Sequence, residues 1–189
     1  MLNETAKRII KKLDITWYTL ISTWFYIGRI PFAPGTLGSI ATYPLYLCIA
    51  KLNIIPQHKI FCLYFLAAFF TIIGYIAVRK FQIVYKVKDH KSIVIDEVVG
   101  QLLILAISAK WIMSNSTIIN LVNTSIYPLS NTNISFLISL AVFRFFDIKK
   151  PLYIWYIDKK ITNAFGVILD DIMAAVWGSA FLYILCRFL

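Results

Sequence analysis

Residues 60 to 78, "IFCLYFLAAFFTIIGYIAV", carry no charged side chain and lie between Lys59 and Arg79-Lys80. A run of this length can cross the hydrocarbon core of a bilayer as a helix, the form in which every backbone amide is satisfied within its own segment. The segment predicts a transmembrane helix. Shorter or interrupted apolar segments lie at 17 to 27, 37 to 50, 98 to 113, 133 to 146 and 172 to 186. Several are too short to span unaided. The expected fold is all-α, a membrane-associated helical bundle with several transmembrane or partly inserted helices. Within it, "SNSTIINLVNTSIYPLSNTN" is rich in Asn, Ser and Thr and contains Pro128. A polar loop between two helices is expected there.

Composition agrees with a membrane chain, with 60% hydrophobic and 15% charged residues against about 25% charged in an average soluble domain. The net charge of +10 raises nucleic acid as a partner. However, the basic residues gather at the ends of apolar runs and form no stripe interleaved with aromatics, so anionic lipid is the expected partner and nucleic acid is not. In residues 1–15, Lys7, Arg8, Lys11 and Lys12 alternate with Leu2, Ala6, Ile9, Ile10 and Leu13, which predicts a basic amphipathic helix lying on a membrane surface. The apolar stretch 17 to 27 has no small-x-small cleavage site before "GRIPFAPG" and is read as retained. With no linker or internal repeat, residues 16–189 read as a single domain. Cys48, Cys62 and Cys186 lie in apolar runs without CxxC spacing, so neither a zinc site nor a disulfide framework is indicated.

Basic residues also set the orientation. Arg79, Lys80, Lys86, Lys88 and Lys91 fall in one connecting segment and Lys149, Lys150, Lys159 and Lys160 in another. Short cytoplasmic loops carry excess Lys and Arg, so both segments are expected to face the cytoplasm.

The acidic residues then become informative. Glu4 and Asp14 belong to the N-terminal helix, whereas Asp89, Asp96, Glu97, Asp147, Asp158, Asp170 and Asp171 fall in two blocks at the same ends of the apolar segments. Asp96-Glu97 and Asp170-Asp171 each precede small or aliphatic residues, so one carboxylate of each pair can point along a buried helix face. Two such helices packed together bring several carboxylates within a few ångströms, and like charges so close need a cation. An all-oxygen donor set of this kind suits Mg²⁺. Acids that merely complement a helix N-terminus are the alternative.

In "RFFDIKKP", Arg144, Asp147 and Lys150 follow one another at three-residue spacing, so they are expected on one helical face before Pro151. Arg and Lys beside a metal site suit a phosphoryl group; taken alone, the spacing suits a surface salt bridge equally well. Upstream, "APGTLGSIATYP" sets Gly35, Thr36, Gly38 and Ser39 before an apolar helix, either as an anion site of backbone N–H groups and hydroxyls or as a simple capped turn. His90, beside Asp89, is either a proton-transfer or water-orienting group or a bystander.

Four elements together, "PGTLGS" (34–39), "DHKSIVIDEVVG" (89–100), "FRFFDIKKP" (143–151) and "GVILDD" (166–171), resemble the phosphatidylglycerophosphatase A family of bacterial lipid phosphatases in order and spacing. The resemblance implies an all-helical, Mg²⁺-dependent enzyme that removes the terminal phosphate of phosphatidylglycerophosphate to give phosphatidylglycerol. It implies action at the bacterial cytoplasmic (inner) membrane, and some members of the family are soluble, which lowers the expected count of spanning helices. With the apolar runs and the basic segments above, a multi-pass protein is expected, its active site facing the cytoplasm. Two departures stand out: Lys91 replaces a Gly usual in the family, and "TNAFG" replaces a His-Gly-Gly-like run, so no histidine role carries over there.

On this reading Asp96, Glu97, Asp170 and Asp171 are the metal ligands, and Asp96, Glu97, Asp147 and His90 are the catalytic group. Arg144, Lys150, Gly35, Thr36, Gly38 and Ser39 would hold the substrate phosphate. The rival from another class is an ion-coupled transporter or channel, whose carboxylates should lie in mid-membrane. Here they cluster at the ends of apolar runs, and no inverted repeat is apparent.

Overall fold

The computed structural model describes residues 15–125, 129–151, 154–161 and 163–189, with residues 125 and 157–159 described in backbone only. All but the last residue of the expected surface helix 1–15 lies outside them, as does the side chain of Asp158. Among the described residues there is no strand. In chain order the α-helices are α1 (Trp17–Ser22), α2 (Pro34–Ile40), α3 (Tyr43–Lys51), α4 (Pro56–Tyr85), α5 (Ile95–Ser114), α6 (Ser116–Ser125), α7 (Asn131–Lys149), α8 (Ile154–Lys160) and α9 (Ala164–Phe188).

The long apolar run is α4, opened by Pro56 in its first turn, where the missing N–H costs nothing. Its outer face shows Phe61, Phe65, Phe69, Ile72 and Ile76 to the surroundings, a pattern suited to lipid. α5 is the opposite case: Val98, Leu102, Ile104, Leu105 and Ile112 are fully buried, because α4, α7 and α9 pack around it. The packing is close enough that a Cβ on Gly100 would meet the Phe143 ring at 2.5 Å and the Asp171 carbonyl oxygen at 3.1 Å. Only a residue without a side chain lets α5 approach both α7 and α9 there. α4, α5 and α9 are each long and apolar enough to cross a membrane, as expected of a membrane bundle.

The apolar segment 17 to 27 forms only the short α1. Trp24, Phe25 and Tyr26 adopt φ values of 43°, 54° and 68°, a left-handed path that ends the helix. Thr23 holds this turn: its hydroxyl donates to the Thr19 carbonyl at 2.8 Å and accepts from the Tyr26 N–H at 3.2 Å. A further difference lies at 116–125, where a helix replaces the expected polar loop. Asn115 caps it, accepting from the Ile118 N–H at 2.9 Å while its amide donates to the Cys186 carbonyl at 3.0 Å. Ile118, Ile119 and Val122 pack into the core on one side, so burial at helical spacing outweighs the polar composition.

Candidate active site

The helices are arranged so that the start of α5, the start of α9, the end of α7 and the start of α2 converge at one end of the bundle. Together with residues 88–91 they line a pocket of about 420 Å³. Asp96 and Glu97 occupy the first turn of α5, where Asp96 Oδ1 accepts the Glu97 N–H at 3.1 Å. Asn163 caps α9 by accepting the Gly166 N–H at 3.0 Å. Asp170 and Asp171 therefore fall in the second turn of α9, beyond the reach of a helix-terminus effect, which fades within the first turn. Their burial, 7% and 3% exposed, has a different cause.

That cause is the meeting of the two helices. Asp96, Glu97 and Asp171 each present a carboxylate oxygen within 4.8 Å of the others. Asp96 lies against Glu97, and Asp171 against Asp147. Among the described residues neither Asp96 nor Asp171 forms an ion pair. Asp170 lines the same pocket but stands outside this group of three, and it is paired with Lys150 Nζ at 2.6 Å.

Arg144, on α7, holds Asp147 at 2.5 Å and approaches Glu97 at 3.8 Å. The expected i,i+3 pair is thus present, but Lys150 is not on the same helix face. It is the left-handed C-cap of α7, with φ of 43° and its N–H bonded to the Phe146 carbonyl. Departure from the helix carries its side chain across to Asp170.

Gly35 and Thr36 line the pocket; Gly38 and Ser39 do not. Gly38 packs on Val94, and the Ser39 hydroxyl donates to the Gly35 carbonyl at 3.1 Å. His90 also lines the pocket. It is buried, its Nδ1 accepts the Ser92 N–H at 3.2 Å, and its Nε2 has no hydrogen-bond partner among the described residues. Burial pushes its imidazole below the ordinary value, against a smaller opposing effect of Asp89. Lys88 and Lys91 are pocket residues to which the sequence assigned no role in the site. Their position either side of Asp89-His90 was the available signal.

Fold and site together define an all-helical membrane protein with a buried carboxylate cluster, bordered by an arginine and a lysine, at one end of its bundle. The family model described as phosphatidylglycerophosphatase A matches residues 20–186. Among curated relatives, phosphatidylglycerophosphatase A of Haemophilus influenzae is 33% identical over 84% of this chain and 82% of its own length. That of Escherichia coli is 26% identical over 91% of this chain and 84% of its own. A Bacteroides thetaiotaomicron protein provisionally named a phosphatidylinositol-3-phosphatase is 29% identical over 84% of this chain and 86% of its own. No solved structure matches. The chain belongs to the phosphatidylglycerophosphatase A family, which makes it a phosphatase.

Proposed function

We propose that the chain hydrolyses the terminal phosphomonoester of phosphatidylglycerophosphate, at the cytoplasmic face of a bacterial inner membrane, with Mg²⁺ as cofactor. The observation that carries this reading is the approach of Asp96, Glu97 and Asp171 beside Arg144 and Lys150. The donor set fits the ion: two buried carboxylates, Asp96 and Asp171, and the half-buried Glu97 supply only oxygen, which suits a hard cation. Asp96, Glu97 and Asp171 would hold it, with Asp170 at the margin. When bound, Mg²⁺ supplies positive charge that stabilises developing negative charge on the phosphoryl oxygens.

The chain's own groups do the rest. Arg144 and Lys150, set in place by Asp147 and Asp170, bind the phosphate oxygens. Thr36 adds a hydroxyl at the wall, and Gly35 lets that wall come close. Asp147 orients the attacking water, and neutral His90 takes up its proton. A bond forms from water oxygen to phosphorus, the ester P–O bond breaks, and the leaving alkoxide takes a proton from solvent, to which His90 releases the one it accepted, giving phosphatidylglycerol and phosphate. A transporter reading is not favoured, because the carboxylates gather at one end of the bundle and not in mid-span.

The test is phosphate release by purified protein from phosphatidylglycerophosphate and from phosphatidic acid, with Mg²⁺ or with chelator. Faster release from phosphatidylglycerophosphate, abolished by chelator, is expected. Equal rates with chelator would contradict the metal assignment, and preference for phosphatidic acid the substrate assignment.

A further inference from the structure

A phospholipid brings acyl chains as well as a phosphate, and the polar pocket offers them little room. On α7, Arg144, Asp147 and Ile148 face the pocket. Counting back by threes and fours along the same helix face gives Leu140, Leu137 and Asn133. The facing wall repeats the pattern: Thr36 of α2 borders the pocket, Ile40 lies one turn on, and Tyr43 opens α3. Between these two rows lies an apolar groove of about 290 Å³, lined by Ile40, Tyr43, Asn133, Phe136, Leu137 and Leu140. Pocket and groove therefore share both walls, with the groove leading away from the phosphate end along the bundle.

Its outer rim is open, with Ile40 43% and Leu137 47% exposed. Short of Leu129, which lines its far end, the groove is bridged by the Tyr43 hydroxyl, which donates to Asn133 Oδ1 at 2.9 Å, while the Tyr43 ring packs on Phe136 with centroids 4.8 Å apart. From Leu140 to Asn133 the helix rises about 10 Å. That accommodates the carboxyl-proximal part of one acyl chain, and the bridge turns the remainder outward to the bilayer.

We propose that this groove holds an acyl chain of the lipid whose phosphate occupies the pocket; the inference rests on the phosphatase reading above. Because lipid tails are as apolar as leucine, moving a chain from bilayer to groove gains little affinity. The groove instead fixes the lipid's position, so its effect belongs in kcat more than in KM.

The experiment compares dipalmitoyl with dibutanoyl phosphatidylglycerophosphate in detergent micelles, using the parent, Leu137→Trp, Leu140→Trp and the control Ile184→Trp on the lipid-facing side of α9. Both groove sites are partly open, so the larger ring can fill the space. The expected result is that the groove variants lose at least about tenfold more kcat on the dipalmitoyl than on the dibutanoyl substrate, and that the control changes neither. Equal loss on both substrates, or loss on neither, overturns the groove assignment, the second outcome meaning that the substrate's acyl chain lies outside the groove. A parent that hydrolyses neither substrate refutes the proposed phosphatidylglycerophosphate hydrolysis itself, whereas a parent active on both keeps that reading whatever the groove variants do.

Discussion

Gly35 of α2 packs directly onto the Glu97 carboxylate: a Cβ at Gly35 would lie 3.0 Å from the Glu97 carboxyl carbon and 3.1 Å from Arg144 Nη2. The contact places the backbone of α2 against both an acid and a base of the pocket. Gly35→Ala must displace one of them, and misplacing a catalytic group by about an ångström costs on the order of a hundredfold in rate. Phosphate-release assays are expected to show about that loss for Gly35→Ala, with less than about tenfold for Thr36→Ala, whose hydroxyl only borders the site. Equal rates for parent and Gly35→Ala would show that the close wall has no catalytic role.

A second glycine sets helix packing and not chemistry. Gly100 faces the Phe143 ring and the Asp171 carbonyl, and neither can retreat without moving a helix. Overpacking of this kind costs about 1–3 kcal/mol, so Gly100→Ala should lower the thermal midpoint in detergent. Gly178→Ala should cost less, because its nearest neighbour at 3.0 Å is the flexible end of Ile104.

His90 gives a pH signature. Its folded-state imidazole is held below the ordinary value of 6.5 by burial, so between the two values the unfolded chain binds the proton more readily. The associated stability is complete above the unfolded value and is lost as pH falls toward the folded one. Thermal midpoints at pH about 7.5 and about 5.5 should therefore differ less in His90→Gln than in the parent. An identical acid loss in both would assign the effect to the carboxylates alone.

Topology can be tested at the two ends of α5. In a cysteine-free background, a cysteine replacing exposed Lys88 near the pocket should react with an impermeant thiol reagent only after cells are opened. One replacing Ser114 at the other end of α5 should react in intact cells. The reverse pattern would place the pocket outside the cytoplasm.

How much of this was legible in the sequence varied with the type of signal. The long apolar α4 was plain because nothing interrupts its apolar run, and the meeting of the two acidic pairs was foreshadowed by their clustering. α6 was hidden, because Asn, Ser and Thr read as loop until Ile118, Ile119 and Val122 find a core to pack on. The partners of individual charges were hidden for a different reason. Asp170 and Asp171 are neighbours in sequence, yet their side chains leave α9 about 100° apart, one to Lys150 and the other to Asp96 and Glu97. Lys150 was placed on the α7 face by spacing alone; Pro151 showed that the helix stops, but not that the preceding residue turns left-handed.

The most direct test of the central claim is a Mg²⁺ titration of phosphate release from phosphatidylglycerophosphate by the parent, Asp96→Asn and Asp171→Asn. Each variant keeps its size and loses one charge of the cluster. The account predicts about a hundredfold loss at low Mg²⁺ with partial recovery at high Mg²⁺, in proteins whose metal-free thermal midpoints equal or exceed the parent's, because one self-repelling charge is gone. Near-parent rates for both variants at low Mg²⁺ would contradict it.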